Sequence, residues 1–178
     1  QSDDAEMESM RLQFQRLSMY LKVLPLTLLS INNVEADDVI SYIATELYPE
    51  SKITIVSSDK DFLQLVDDRI HIWSPTKKIL FGKDKMISVY EIQAHNYLLS
   101  RMFDGDSSDN IDGIKGVGKK TLRSKIPILF EDKQLDIDDI ISYCKSKIDS
   151  GSKYVIYEKI ITGEDILRRN WKLVNLRE

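Results

Sequence analysis

Three short segments of this chain hold seven closely spaced carboxylates. Glu35, Asp37 and Asp38 stand in Val34-Glu-Ala-Asp-Asp38, Asp59 and Asp61 in Ser57-Ser-Asp-Lys-Asp-Phe62, and Asp106 and Asp109 in Gly105-Asp-Ser-Ser-Asp-Asn110. Oxygen-only donor sets of this kind suit hard divalent cations of the magnesium type, which keep several waters and take one or two direct carboxylates each. Two such ions about 4 Å apart can activate a water and stabilise both the attacking and the leaving oxygen of a phosphodiester. Taken singly, each segment also reads as ordinary helix capping or turn chemistry. Seven carboxylates in one crevice, however, would repel one another unless cations neutralised them. His71 and His95 lie far apart and Cys144 stands alone, so neither a zinc site nor a disulfide framework is expected, and Cys144 reads as a core thiol in a reducing setting. A nucleophile paired with a base is not apparent.

A different chemistry follows within ten residues. In Gly113-Ile-Lys-Gly-Val-Gly-Lys-Lys-Thr121, Gly116 and Gly118 set a tight turn ahead of a basic helix. Main-chain N–H groups there favour a phosphate oxygen. From Asp112 to Lys125 five basic residues (Lys115, Lys119, Lys120, Arg123 and Lys125) face one acid, although the whole chain carries a net charge of −4. Lys115, Gly116, Val117, Gly118, Lys119, Lys120 and Arg123 are therefore the candidate contacts to a nucleic-acid backbone. Binding through them is expected to be sequence-independent and salt-sensitive. Ile114, Val117 and Leu122 are expected to pack the hairpin. The bland alternative is a glycine-rich connection between helices with solvated lysines.

The elements that must position these groups follow from apolar periodicity. Met7, Met10, Phe14, Leu17, Leu21 and Leu24 recur at three- and four-residue steps, which predicts a helix with a core-facing stripe that Pro25 ends. Leu26–Ile31 reads as a strand leading into a helix from about Glu35 to Tyr48. Lys52–Ser57 reads as the next strand, then comes a short helix through Phe62, Leu65 and Val66, a third strand at Ile70–Trp73 and a short edge strand at Lys77–Phe81. Strands alternating with helices predict an α/β fold with a parallel sheet flanked by helices. Beyond the carboxyl ends of such strands loops converge, which delivers the first two acidic groups to one end of the sheet. Asp106 and Asp109, at i, i+3 on one helical turn, complete the crevice if that turn packs beneath it. The architecture is expected to change near residue 86, with 1–86 the metal-bearing α/β portion and 87–178 a helical domain. With 42% hydrophobic residues and no apolar run near the roughly 20 residues a bilayer requires, no membrane role is expected. Because the chain opens with Gln1, already in a helical pattern, it reads as an excerpt of a longer protein.

Together these segments resemble the 5′-nuclease superfamily, which includes flap endonucleases, the 5′-nuclease domain of bacterial DNA polymerase I and phage 5′→3′ exonucleases. Residues 7 to 125 carry the motifs in the family's order. Ser57-Ser-Asp-Lys-Asp-Phe62 followed by Trp73-Ser-Pro75 is most similar to the ribonuclease H of T-even-like phages, which removes RNA primers and adjoining DNA. The resemblance implies a PIN-like sheet, incomplete here, and a helix-hairpin-helix at about 111–125. It implies metal-bound Glu35, Asp37, Asp38, Asp59, Asp61, Asp106 and Asp109, two Mg2+ or Mn2+ ions, and a monovalent cation such as K+ in the turn. As substrate it implies DNA or RNA/DNA duplex with a 5′ flap or primer end, with replication proteins as partners and a cytoplasmic setting, the host's if phage-encoded. Family members begin with a strand bearing a further metal-binding aspartate and a basic helical arch; no counterpart precedes Gln1, so the chain is expected to bind better than it cuts. Two other readings stay open: a non-catalytic junction binder whose acids only cap helices, and a toxin-type ribonuclease, which would lack the hairpin.

Overall fold

A computed structural model of the chain describes residues 2–107 and 109–177. It comprises two compact units, Gln1–Ala36 and Asp37–Glu178. The division expected near residue 86 lies inside the second.

The first unit is a single helix, α1 (Ser2–Leu21), followed by irregular chain. The helix forms where the periodicity places it, but its stripe does not face a core. Met7, Met10, Phe14 and Leu17 are all exposed, as is Leu24 beyond the helix. Among the described residues this unit offers no second element against which they could be buried. The strand expected at Leu26–Ile31 is also absent: residues 26–31 adopt no regular structure, and Leu26, Leu28, Leu29 and Ile31 are exposed. An apolar run of strand length becomes a strand only when a neighbour completes its hydrogen-bond ladder. None does so here.

The second unit takes in all but the first residue of α2 (Ala36–Tyr42), which passes directly into a π-helical segment, Ile43–Leu47. Carbonyls left open by the wider turn need donors, and the Arg69 guanidinium supplies them through Nη1, to Ala44 O at 2.7 Å and Tyr48 O at 3.1 Å. Next comes a three-stranded sheet, β1 (Ile53–Val56), β2 (Ile70–Ser74) and β3 (Ile79–Phe81), in that order. β1 and β2 pair in parallel, with Ile53 opposite Ile70 and Val56 opposite Trp73. β3 returns antiparallel as the edge, Ser74 opposite Ile79. The sheet is thus mixed rather than parallel throughout, because the short connection from β2 to β3 permits only a hairpin. Between β1 and β2 a 3-10 turn, Asp61–Leu65, sinks Phe62, Leu63, Gln64 and Leu65 into the core.

The remainder is helical: α3 (Lys83–Tyr90), α4 (Ala94–Asp104), α5 (Lys119–Lys125), a 3-10 turn at Pro127–Phe130, α6 (Ile137–Asp149), α7 (Val155–Thr162) and α8 (Glu164–Val174). Between α4 and α5 lies a minimal ribbon, β4 (Gly105–Asp106) against β5 (Ile111–Asp112). α4 is the central helix. Ala94, Tyr97, Leu98, Leu99, Met102 and Phe103 are all buried, a stripe wide enough to pack against the 3-10 turn of the sheet on one side and α8 on the other. A reciprocal capping box, Asp136 with Asp139, starts α6. Among the described residues no helix is long and apolar enough to cross a membrane.

Candidate metal centre and nucleic-acid interface

Asp61 is the first residue of the 3-10 turn after β1, and Asp106 ends the β4 strand after α4. The fold brings both to one guanidinium: Arg101 Nη2 donates to Asp61 Oδ1 at 3.1 Å and to Asp106 Oδ2 at 2.8 Å, with all three side chains mostly shielded from solvent. Arg101 stands 40 positions after Asp61 and five before Asp106. Nothing in either motif flags it, since only the docking of α4 against the turn creates the bridge. Asp59 joins the group locally. Its Oδ1 accepts from Asp61 N at 2.9 Å, and its own N–H donates to Ser57 Oγ at 3.1 Å. Burial raises the Asp61 carboxyl above the ordinary carboxylate range; Arg101 opposes the rise, and Asp59 and Asp106 add to it. Burial is thus the main cause, and the neighbouring carboxylates add less.

Glu35, Asp37 and Asp38 form their own trio at the start of α2, each offering an oxygen within 4.8 Å of the others. Among the described residues it is the one group of three or more acids this tight. Asp59, Asp61 and Asp106 approach one another through hydrogen bonds and Arg101 rather than as a closed cage. Asp109 lies exposed in the turn between β4 and β5. The donor chemistry fits a hard divalent cation: carboxylate oxygens alone, partly exposed, with room for the waters such ions retain.

The glycine hairpin is built on the other side of the same loop. Gly105 (φ +70°) ends α4; a methyl group there would lie under 3.0 Å from backbone atoms of Ile111, Asp112 and Gly113. Ile114 N–H donates to Phe103 O at 2.9 Å, and Val117 N–H to Ile114 O at 3.0 Å, which closes the turn around Gly116 (φ +85°). Ile114, Val117 and Leu122 are buried, as expected of the residues that pack the hairpin, so Val117 can offer a ligand only its main chain. Lys115, Gly116, Gly118, Lys119, Lys120 and Arg123 are exposed. Two of these bases are already engaged. Glu91, in a left-handed conformation at the end of α3, pairs with Arg123 Nη1 at 2.5 Å and Lys119 Nζ at 3.8 Å. Lys159 of α7 was not anticipated, yet its Nζ lies 3.6 Å from where a Gly116 side chain would begin.

Residues 4–91 match the family model described as the N-terminal resolvase-like domain of 5′-3′ exonucleases. A 5′-3′ exonuclease of Aquifex aeolicus is 33% identical over 115 residues, 64% of this chain and 40% of the relative. The matched segment belongs to the 5′ nuclease superfamily. Thermostable DNA polymerase I of Thermus aquaticus is 30% identical over 166 residues, covering 93% of this chain and 19% of that protein. Among solved structures, the bacteriophage T5 flap endonuclease in a complex with DNA and metal ions superposes with a TM-score of 0.73 at 23% identity, covering 97% of this chain and 62% of the neighbour. T5 5′-exonuclease with bound divalent metal ions gives 0.77 at 22% identity, covering 99% of this chain and 63% of the neighbour. These likenesses establish a PIN-like fold. The chain spans about two fifths or less of the first two curated relatives.

Proposed function

We propose that this chain is the metal- and duplex-binding portion of a 5′ nuclease that hydrolyses phosphodiesters at 5′ flaps or primer ends of DNA and RNA/DNA duplexes during replication in the cytoplasm. The observation that carries the reading is the convergence of Asp61 and Asp106 on Arg101, next to a glycine turn that packs on the same helix. Glu35, Asp37, Asp38, Asp59, Asp61, Asp106 and Asp109 would hold the ions, two Mg2+ or Mn2+, with Asp37, Asp59, Asp61, Asp106 and Asp109 closest to the reaction. When bound, such a pair supplies an activated water and neutralises charge at the attacking and leaving oxygens. The protein's own part is placement. The Gly116–Gly118 turn and Lys115, Lys119, Lys120 and Arg123 anchor phosphates of the duplex as a helix-hairpin-helix, with K+ in the turn, at a fixed distance from the carboxylates. Residues 1–86 serve as the main metal-bearing portion, and 87–178 binds the duplex while lending Asp106 and Asp109 to the ions.

The test is calorimetric titration with Mn2+ together with binding of a labelled 5′-flap duplex. The chain is expected to bind Mn2+, Asp61→Asn with Asp106→Asn to abolish that binding, and Lys119→Ala with Lys120→Ala to weaken the duplex and flatten its salt dependence by about two phosphate contacts. Absence of Mn2+ binding in the parent would leave only the junction-binder reading.

A further inference from the structure

Arg101 is the one cation among the described residues placed between two of the proposed metal ligands, and its bonding there is incomplete. Nη2 serves Asp61 and Asp106 at once, whereas the buried Nε finds no acceptor. A guanidinium presents five donors in a planar fork that suits bidentate pairing, one carboxylate per edge. Here a single nitrogen is shared between two acids and one donor is left dry. The arrangement therefore stabilises the two carboxylates without matching them, as expected of a ligand that must later give way.

Resting on the reading of Asp61 and Asp106 as metal ligands, we propose that Arg101 is a displaceable internal cation. Without a divalent ion it neutralises Asp61 and Asp106 and holds the turn after β1 against β4. When the ion arrives, the carboxylates change partners, and the guanidinium swings away from them. Space for that movement exists: a cavity of about 190 Å³ adjoins Arg101, lined also by Lys60, Tyr90, Tyr97, Asp104 and Lys119. Asp104 offers the departing guanidinium a new acceptor, so the exchange leaves no charge stranded. Arg101 thereby sets metal affinity from below, since each binding event must first break the resident pair. It acts as a positioning residue, through the carboxylates.

A displaceable arginine and a merely structural one affect metal affinity with opposite sign. Replacing Arg101 should destabilise the metal-free protein and tighten its hold on the metal. Titration of the chain with Mn2+, followed by calorimetry and by melting temperature, reads both. Arg101→Gln and Arg101→Met, the second keeping the apolar stem, are expected to melt lower without metal, to bind Mn2+ about fivefold more tightly, and to recover more stability from Mn2+ than the parent. Arg101→Lys, which retains the charge, should stay near the parent on both readouts. Unchanged or weaker Mn2+ binding in both neutral variants, with the parent binding normally, overturns the role of Arg101 alone. A parent that binds no Mn2+ removes the metal-site reading and this proposal with it.

Discussion

Asn170 shows how much a single buried amide can organise. With no exposed surface, it donates from Nδ2 to Met102 O at 3.0 Å and to Asp112 O at 2.9 Å, and its Oδ1 accepts from Arg169. Those two carbonyls flank the β4–β5 loop that carries Asp106 and Asp109, so one residue of α8 ties that loop to the end of α4. Asn170→Ala removes the amide donor from Met102 O, leaves Asp112 O with the Arg169 guanidinium alone, at 3.2 Å, and opens a hole. Urea unfolding is expected to show a loss of about 2–4 kcal/mol, and a cost below about 1 kcal/mol would mean water replaces the amide without penalty. Gly105 works by what it lacks. Its φ of +70° and the backbone packed where a side chain would grow predict that Gly105→Ala costs more than about 2 kcal/mol, because backbone cannot retreat as a flexible side chain can. A Gly105→Ala protein melting within a degree or two of the parent would show that the loop rebuilds freely.

At the scale of elements, α4 is the keystone, since it packs against the acid-bearing 3-10 turn, the hairpin helix α5 and α8. α6 is secured both locally, by its cap, and by tertiary packing. The Asp136–Asp139 capping box satisfies its first N–H groups, and Asp136→Ala is expected to lower stability by about 1 kcal/mol in urea. Its inner face buries Ile137, Ile140, Ile141 and Cys144. Burial alone pushes the Cys144 thiol up to about 12, so the group stays neutral across the range in which a free cysteine would ionise. An alkylating reagent at pH 8 should therefore label Cys144 only in denaturant; rapid labelling of the native protein would contradict the packing of α6.

Over the molecule as a whole, the C-terminal residues return to the sheet domain rather than trailing from α8. Gln64 Nε2 donates to Val174 O at 2.9 Å, Leu176 N–H donates to Gln64 Oε1 at 3.0 Å, and Arg177 Nη2 donates to Leu65 O at 3.0 Å. Ser41 of α2 donates to Leu176 O as well. The strap thus holds both the turn that carries Asp61 and the helix that carries Asp37 and Asp38. A chain ending at Val174 is expected to lose Mn2+ affinity along with stability, measured on the same titration. Loss of stability with metal affinity intact would show that the strap clamps the core and not the acids. Gln64→Ala should reproduce part of both effects.

Much of this was legible in the sequence. The β-branched runs at Ile53–Val56 and Ile70–Ser74, the edge strand, the stripe of α4 and the buried packing residues of the hairpin follow from local periodicity, because side-chain spacing and backbone propensity act over a few residues. The family membership follows from short motifs whose order survives. Tertiary structure alone decided the rest. Among the described residues the apolar run at Leu26–Ile31 has strand composition without a strand partner, and the stripe of α1 has helical spacing yet stays exposed. Arg101, Asn170 and Gln64 carry no local signal of these roles, since each has a partner 40 or more positions away. Spacing along a chain records which face a side chain takes; which distant group it meets there is settled only when the elements dock.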